Sequence, residues 1–232
     1  VSTRGTPDVT LFVPCLVDQF YPKLAVKLVR LLQKLGAKVS YPISQTCCGQ
    51  PAYNAGYPKE AKKLGERFLK VFSSARIVIA PSGSCVNMVR NVYPEFGLRP
   101  GFQIYEASEF IVDLLGLDDL EAQFHGKVAY HDSCHLFRQL GLSNQPRWLL
   151  NKVKGLKLIE TEPLCCGFGG IFSARFPRIA TAMAQQRVHT VLEKGINHIA
   201  VGDAGCLLHL SNYVRKRSIP LRVLHYLELL ET

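Results

Sequence analysis

The chain has 232 residues, 47% hydrophobic and 20% charged, with 28 lysines and arginines against 18 acidic residues. That balance excludes a disordered chain or a fibre, and no apolar run approaches the roughly 20 residues needed to cross a bilayer. The net charge of +10 is spread along helix faces, as in Lys23, Lys27, Arg30 and Lys34, and its densest cluster, Arg215-Lys216-Arg217, is too short for a nucleic-acid patch.

In chain order, the stretch Val1-Ser2-Thr3-Arg4-Gly5-Thr6-Pro7 lacks the basic and then apolar regions of a secretory signal, which points to the cytoplasm. Residues 9–13 read as a strand ending at Pro14-Cys15, followed by an amphipathic helix over 22–35 with Leu24, Leu28, Leu31, Leu32 and Leu35 on one face. A strand over 38–41 leads to Cys47-Cys48-Gly49, then a helix over 58–72 that buries Phe68, Leu69 and Phe72. A third strand over 75–80 leads to Cys85 and a short helix with Met88 and Val89; a strand over 102–105 and a helix over 109–115 close the half.

The order then repeats. A strand over 127–131 precedes Cys134, a helix over 146–153 carries Trp148, Leu149 and Leu150 as core, and a strand over 156–159 precedes Cys165-Cys166. A long helix over 176–193, a strand over 198–201, Cys206, a strand over 221–224 and a last helix complete the chain. The predicted fold class is α/β, two tandem Rossmann-like parallel-sheet repeats related by a pseudo-twofold, with domains at 1–116 and 117–232.

All eight cysteines follow the duplication. Cys15, Cys47, Cys48 and Cys85 recur as Cys134, Cys165, Cys166 and Cys206, at offsets of 119, 118, 118 and 121 residues. Buried cysteines acting as small hydrophobes would follow helix or strand period instead. Every cysteine lies shortly after a strand, and in a parallel sheet the loops leaving the carboxyl ends share one edge. Three loops can therefore bring four sulfurs together in each repeat. Four thiolates suit an iron-sulfur cluster or tetrahedral zinc, and in a reducing compartment they favour metal or redox chemistry over disulfides. Short C-x(2-4)-C hooks and ferredoxin hooks are both missing.

These residues carry a resemblance. Pro14-Cys15, Cys47-Cys48-Gly49-Gln50-Pro51, Ser82-Gly83-Ser84-Cys85, His131-Asp132-Ser133-Cys134-His135, Cys165-Cys166-Gly167-Phe168-Gly169-Gly170 and Asp203-Ala204-Gly205-Cys206 resemble the cysteine-rich CCG domain, present twice. That domain is shared by the B subunit of heterodisulfide reductase and the iron-sulfur subunits of glycolate and anaerobic glycerol-3-phosphate dehydrogenases. Within the group the chain is most similar to the lactate-utilisation protein A family, two CCG repeats without a ferredoxin domain. The resemblance implies an iron-sulfur electron-transfer subunit in cytosolic oxidation of L-lactate, or another 2-hydroxy acid, to pyruvate. It further implies all eight cysteines as ligands, at most one cluster per repeat, [4Fe-4S] in type, and partner oxidoreductase subunits. The alternatives are a thiol or disulfide reductase subunit and a zinc-braced scaffold.

The family's fifth cysteine is replaced by Ser82 in the first repeat and Asp203 in the second. Each is either an oxygen ligand or a cap for the helix that follows. Gly49, Gly167, Gly169 and Gly170 either bring backbone N–H groups to cluster sulfur or form plain tight turns; they lack the spacing of a dinucleotide fingerprint. His131 and His135 either ligate metal or support ligands by hydrogen bonding. Arg138 either meets a carboxylate or lies on the surface. No Ser-His-Asp or paired-carboxylate constellation stands out.

Overall fold

Alternation of short apolar runs with amphipathic helices is realised as two four-stranded parallel sheets in the computed structural model, which describes residues 6–116 and 120–230. The chain divides into two units, Val1–Phe110 and Ile111–Thr232. The domain boundary expected between 116 and 117 falls at residues outside the described set, as do the first five residues of the N-terminal stretch.

The first unit runs β1 (Asp8–Leu11), α1 (Cys15–Phe20), α2 (Pro22–Lys34), β2 (Lys38–Ser40), α3 (Gln50–Asn54), α4 (Pro58–Val71) and β3 (Ile77–Ala80). Then come α5 (Gly83–Asn87), continued by the turns Met88–Val92 and Tyr93–Phe96, β4 (Gln103–Glu106) and α6 (Ala107–Glu109). The sheet order is β2-β1-β3-β4, parallel throughout. Proline opens both α2 and α4, where its missing N–H has no helical partner to lose. Leu24, Leu28, Leu31 and Leu32 bury one face of α2, while Leu35 and Leu69 are only half-buried. The core is aromatic: Phe12 meets Phe68 edge-on at 4.8 Å and Phe72 at 5.8 Å.

The second unit repeats the plan with β5 (Gln123–His131), a helical turn His135–Gln139, α7 (Asn144–Asn151), β6 (Lys154–Ile159), α8 (Ile171–Arg175) and α9 (Pro177–Leu192). It ends with β7 (His198–Val201), α10 (Ala204–Lys216), β8 (Arg222–His225) and the turn Tyr226–Leu229. The order β6-β5-β7-β8, all parallel, matches the first sheet strand for strand. Arg147 ties this unit's elements together, with both Nη atoms 2.7 Å from the Asp132 carboxylate and Nε 2.8 Å from Glu160.

Several local features differ from the sequence reading. The short helices α1, α3 and α8 span too few residues to show a 3.6-residue period. α10 is unforeseen because His209, Ser211, Asn212 and Tyr213 dilute its helix propensity; Leu207, Leu210 and Val214 bury it. The expected last helix is one 3-10 turn, closed by a capping box between His225 and Glu228. Trp148 is half-buried, with the Lys152 ammonium 4.9 Å from its ring. Among the described residues, no helix is long and apolar enough to cross a membrane.

Candidate metal centre

Each sulfur set is gathered at the carboxyl edge of its own sheet. In the first unit Cys15 opens α1 just past β1, Cys47 and Cys48 follow β2, and Cys85 lies inside α5 just past β3. In the second unit Cys134 follows β5, Cys165 and Cys166 follow β6, and Cys206 sits in the first turn of α10 past β7. The surface groove of about 720 Å³ lined by Asp8, Arg76 and Gln103 is at the opposite edge, where β1, β3 and β4 begin, and it holds none of this chemistry.

The sulfurs touch in the same sequence in both units. Cys15 Sγ is 3.7 Å from Cys47 Sγ, and Cys48 bonds to both Cys47 and Cys85. Cys134 bonds to Cys165, Cys165 to Cys166, and Cys166 Sγ lies 3.1 Å from Cys206 Sγ. Cys48, Cys85, Cys166 and Cys206 are buried and the other four half-buried, with all eight free of disulfides. Each set therefore has a dry inner pair and an outer pair that reaches the rim.

Neighbouring thiols settle which sulfur ionises. Cys47 is pulled down to about 3 by hydrogen bonds from Cys15 and Cys48, with the Gly49 N–H adding to them against burial. Cys165 falls to about 2 through Cys134 and Cys166, helped by the Gly167 N–H. The donors are correspondingly pushed up: Cys15, Cys48, Cys134 and Cys166 each hold their proton mainly because they give it to a neighbouring sulfur. The donors Cys15, Cys48, Cys134 and Cys166 give up their protons only when positive charge is placed among the sulfurs, which is what a thiolate-bound metal supplies. The donor set fits metal binding.

Glycine in the CCG sequence is required by backbone and by space. Gly49 has φ +91° and Gly167 φ +89°, a region that residues with a Cβ rarely enter. A Cβ on Gly49 would stand 3.0 Å from Ala61 O, and one on Gly167 2.7 Å from Ala180 O. The tight turn also delivers an N–H: Gly49 N is 3.4 Å from Cys47 Sγ, and Gly167 N is 3.4 Å from Cys165 Sγ. Gly169 and Gly170 lie in the turn before α8.

The two fifth-cysteine positions are filled differently. Asp203 is the N-cap of α10 and accepts from Gly205 N at 2.9 Å. Ser82 occupies the N-cap position of α5 without capping it through its side chain, and its hydroxyl is 3.2 Å from Ser84 Oγ. His135 stands at the rim, Nδ1 3.8 Å from Cys134 Sγ. His131 is inside: 1% exposed, its ring groups with the Cys166 and Cys206 sulfurs within a 4.8 Å span, and neither ring nitrogen has a hydrogen-bond partner. Burial, then Arg187, lowers its pKa to about 3, so the ring is neutral. Arg138 is exposed.

Arg187 escaped the sequence reading. It is fully buried on α9 beside Ala180, Ala184, Val188 and Val191. Its guanidinium donates to Glu162 O at 3.0 Å, Tyr130 O at 3.1 Å and Thr161 Oγ1 at 2.7 Å. A charged residue at a core position of an otherwise apolar helix face is the signal that could have found it.

Comparison with known proteins agrees with the duplication. A cysteine-rich domain family, CCG, matches residues 9–90 and again 128–211. "Lactate utilization protein A" of Geobacillus kaustophilus (strain HTA426) is 40% identical over 234 residues, covering 96% of this chain and 98% of that protein. The protein of the same name from Macrococcus caseolyticus (strain JCSC5402) is 37% identical, covering 96% of this chain and 95% of that one. Among solved structures, a hypothetical protein from Helicobacter pylori has the same fold, with TM-score 0.64 at 12% identity over 98% of this chain; the chain spans 49% of that protein's length.

Proposed function

This chain belongs to the lactate utilization protein A family, and on that premise we propose that it is the iron-sulfur electron-carrying component of a cytoplasmic system oxidising L-lactate, or a related 2-hydroxy acid, to pyruvate. Each unit's cysteines hold at most one cluster, [4Fe-4S] in type. The observation that carries the proposal is the repeated contact order of four sulfurs, delivered by three loops to one sheet edge in both units. A bound cluster supplies reversible one-electron storage.

The chain's own residues hold, shield and expose that group. The outer thiolates Cys47 and Cys165, ionised ahead of their neighbours, are the first to take up metal. Cys48, Cys85, Cys166 and Cys206 keep the inner side dry, which strengthens electrostatic control over the site. The half-buried outer cysteines face the rim, where a partner oxidoreductase subunit exchanges electrons. Removal of hydrogen from the 2-hydroxy acid falls to such a partner, since the glycine-rich stretch 167–170 lacks a dinucleotide fingerprint.

Anaerobic purification followed by iron, acid-labile sulfide and zinc analysis tests the cofactor, and lactate-dependent reduction of an acceptor with and without partner subunits tests the substrate. Iron and sulfide in equal amounts, lost in part on Cys48→Ser and in part on Cys166→Ser, are expected. A colourless protein loaded with zinc overturns the proposal.

A further inference from the structure

The two sulfur sets match, but their surroundings do not. Cys15 and Cys134 are offset by 119 residues (134 against 15), and so are the helix residues packed on the CCG glycines, Ala61 on Gly49 and Ala180 on Gly167 (180 against 61). The same offset places His131 where the first unit has Phe12, and Arg187 where it has Phe68. In the first unit this pair is an edge-on aromatic contact at 4.8 Å, apolar and uncharged. In the second it is a buried imidazole with two unpartnered nitrogens and a buried guanidinium.

From this substitution, and resting on the function proposed above, we infer that Arg187 and His131 set the reduction potential of the second unit's cluster, making it the more easily reduced of the two. Arg187 is fully buried, and its three bonds go to two backbone carbonyls and a hydroxyl. The nearby Asp132 carboxylate is taken in bidentate fashion by Arg147. A positive charge in a dry interior favours added negative charge close by, and against burial it is Asp132 first, then Cys206 and Cys166, that hold the guanidinium's own charge. In the first unit the part-buried arginine Arg90 is paired directly with Glu109 at 2.7 Å, neutral overall.

His131 acts in the same direction by donation. An imidazole carries at least one N–H in either protonation state, and in the interior neither His131 nitrogen has a protein partner for it. The Cys166 and Cys206 sulfurs are beside the ring, and an N–H donated to ligand or cluster sulfur raises the potential. Asp203, which replaces Ser82, opposes this from the Cys134 side, but its carboxylate is occupied by Gly205 N and faces the positive end of α10.

The test is a potentiometric titration of the full chain, reconstituted anaerobically with iron and sulfide, reduced with dithionite and followed by electron paramagnetic resonance. The signal absent from Cys134→Ser identifies the second unit. Two midpoints are expected, the second unit's favoured at least tenfold in sharing one electron, or about 59 mV. Arg187→Met should remove most of that preference while Arg187→Lys keeps it. Should Arg187→Met fail to load the second unit, His131→Phe, which installs the first unit's residue, decides by lowering the same midpoint alone. Coincident midpoints in the loaded wild type, a lower midpoint for the second unit, or variants that move neither or both overturn the inference while leaving the proposed function intact. Wild-type protein that binds no iron and sulfide overturns both.

Discussion

Gly167→Ala isolates how the CCG turn is held. The new side chain would sit at φ +89°, with its Cβ 2.7 Å from Ala180 O and 2.8 Å from Met183 Cβ. Left-handed backbone costs a residue bearing a Cβ about 1–2 kcal/mol, and forcing a methyl group into a packed site adds about 1–3 kcal/mol. Ala180 O is main chain in the first turn of α9 and cannot swing aside as a flexible side chain would. The expected loss is therefore about 2–5 kcal/mol. Gly49→Ala meets Ala61 O at 3.0 Å and Leu64 Cβ at 3.3 Å, so the same reasoning puts it near the lower end of that range. Urea unfolding of the metal-free protein measures both, with circular dichroism for each variant. Trp148, the single tryptophan, reports specifically on the second unit. A Gly167→Ala loss below about 0.5 kcal/mol, or a larger loss for Gly49→Ala, would refute the reasoning.

Three further outcomes follow from the site. His131, pushed down to about 3 from 6.5 by burial and then by Arg187, refuses in the fold a proton that the unfolded chain accepts. Its contribution is complete above pH 6.5 and is lost as pH falls toward 3, at about 1.4 kcal/mol per unit; the metal-free protein at pH 5 should be about 2 kcal/mol weaker in urea than at pH 7, and His131→Phe should flatten that slope. In reduced, metal-free protein at pH 6, iodoacetamide should label Cys47 and Cys165 first, since they are the ionised sulfurs; peptide mapping that finds Cys48 or Cys166 ahead of them contradicts the thiolate assignment. Asp203→Ala should cost about 1 kcal/mol through its lost cap, measured by thermal unfolding, while Ser82→Ala, whose hydroxyl caps nothing, should cost less.

The features that were legible in the chain are those written in local spacing. The helices α2, α4 and α9 are long enough to display an apolar stripe, and the strands β1, β3 and β7 are β-branched runs followed within a few residues by cysteine. Cysteine duplication at a near-constant offset pointed to both sites. The helices α1, α3 and α8, of five or six residues, were not legible, because too few positions exist for a period to register, and α10 was obscured by polar residues whose neighbours are buried only in the folded state.

Sequence alone therefore determined that two α/β repeats each carry four sulfurs after three strands, since the positions of strands and loops along the chain follow from hydrophobic period and turn residues, whereas the sheet order came from the tertiary structure. It could not decide how those sulfurs differ in ionisation, because that depends on which thiol donates to which across residues far apart in the chain. Nor could it show that His131 and Arg187, at the offset of Phe12 and Phe68, are buried close to the second unit's sulfurs. That proximity exists only once the helix is laid against the sheet, where a side chain's electrostatic effect is set by what surrounds it in three dimensions.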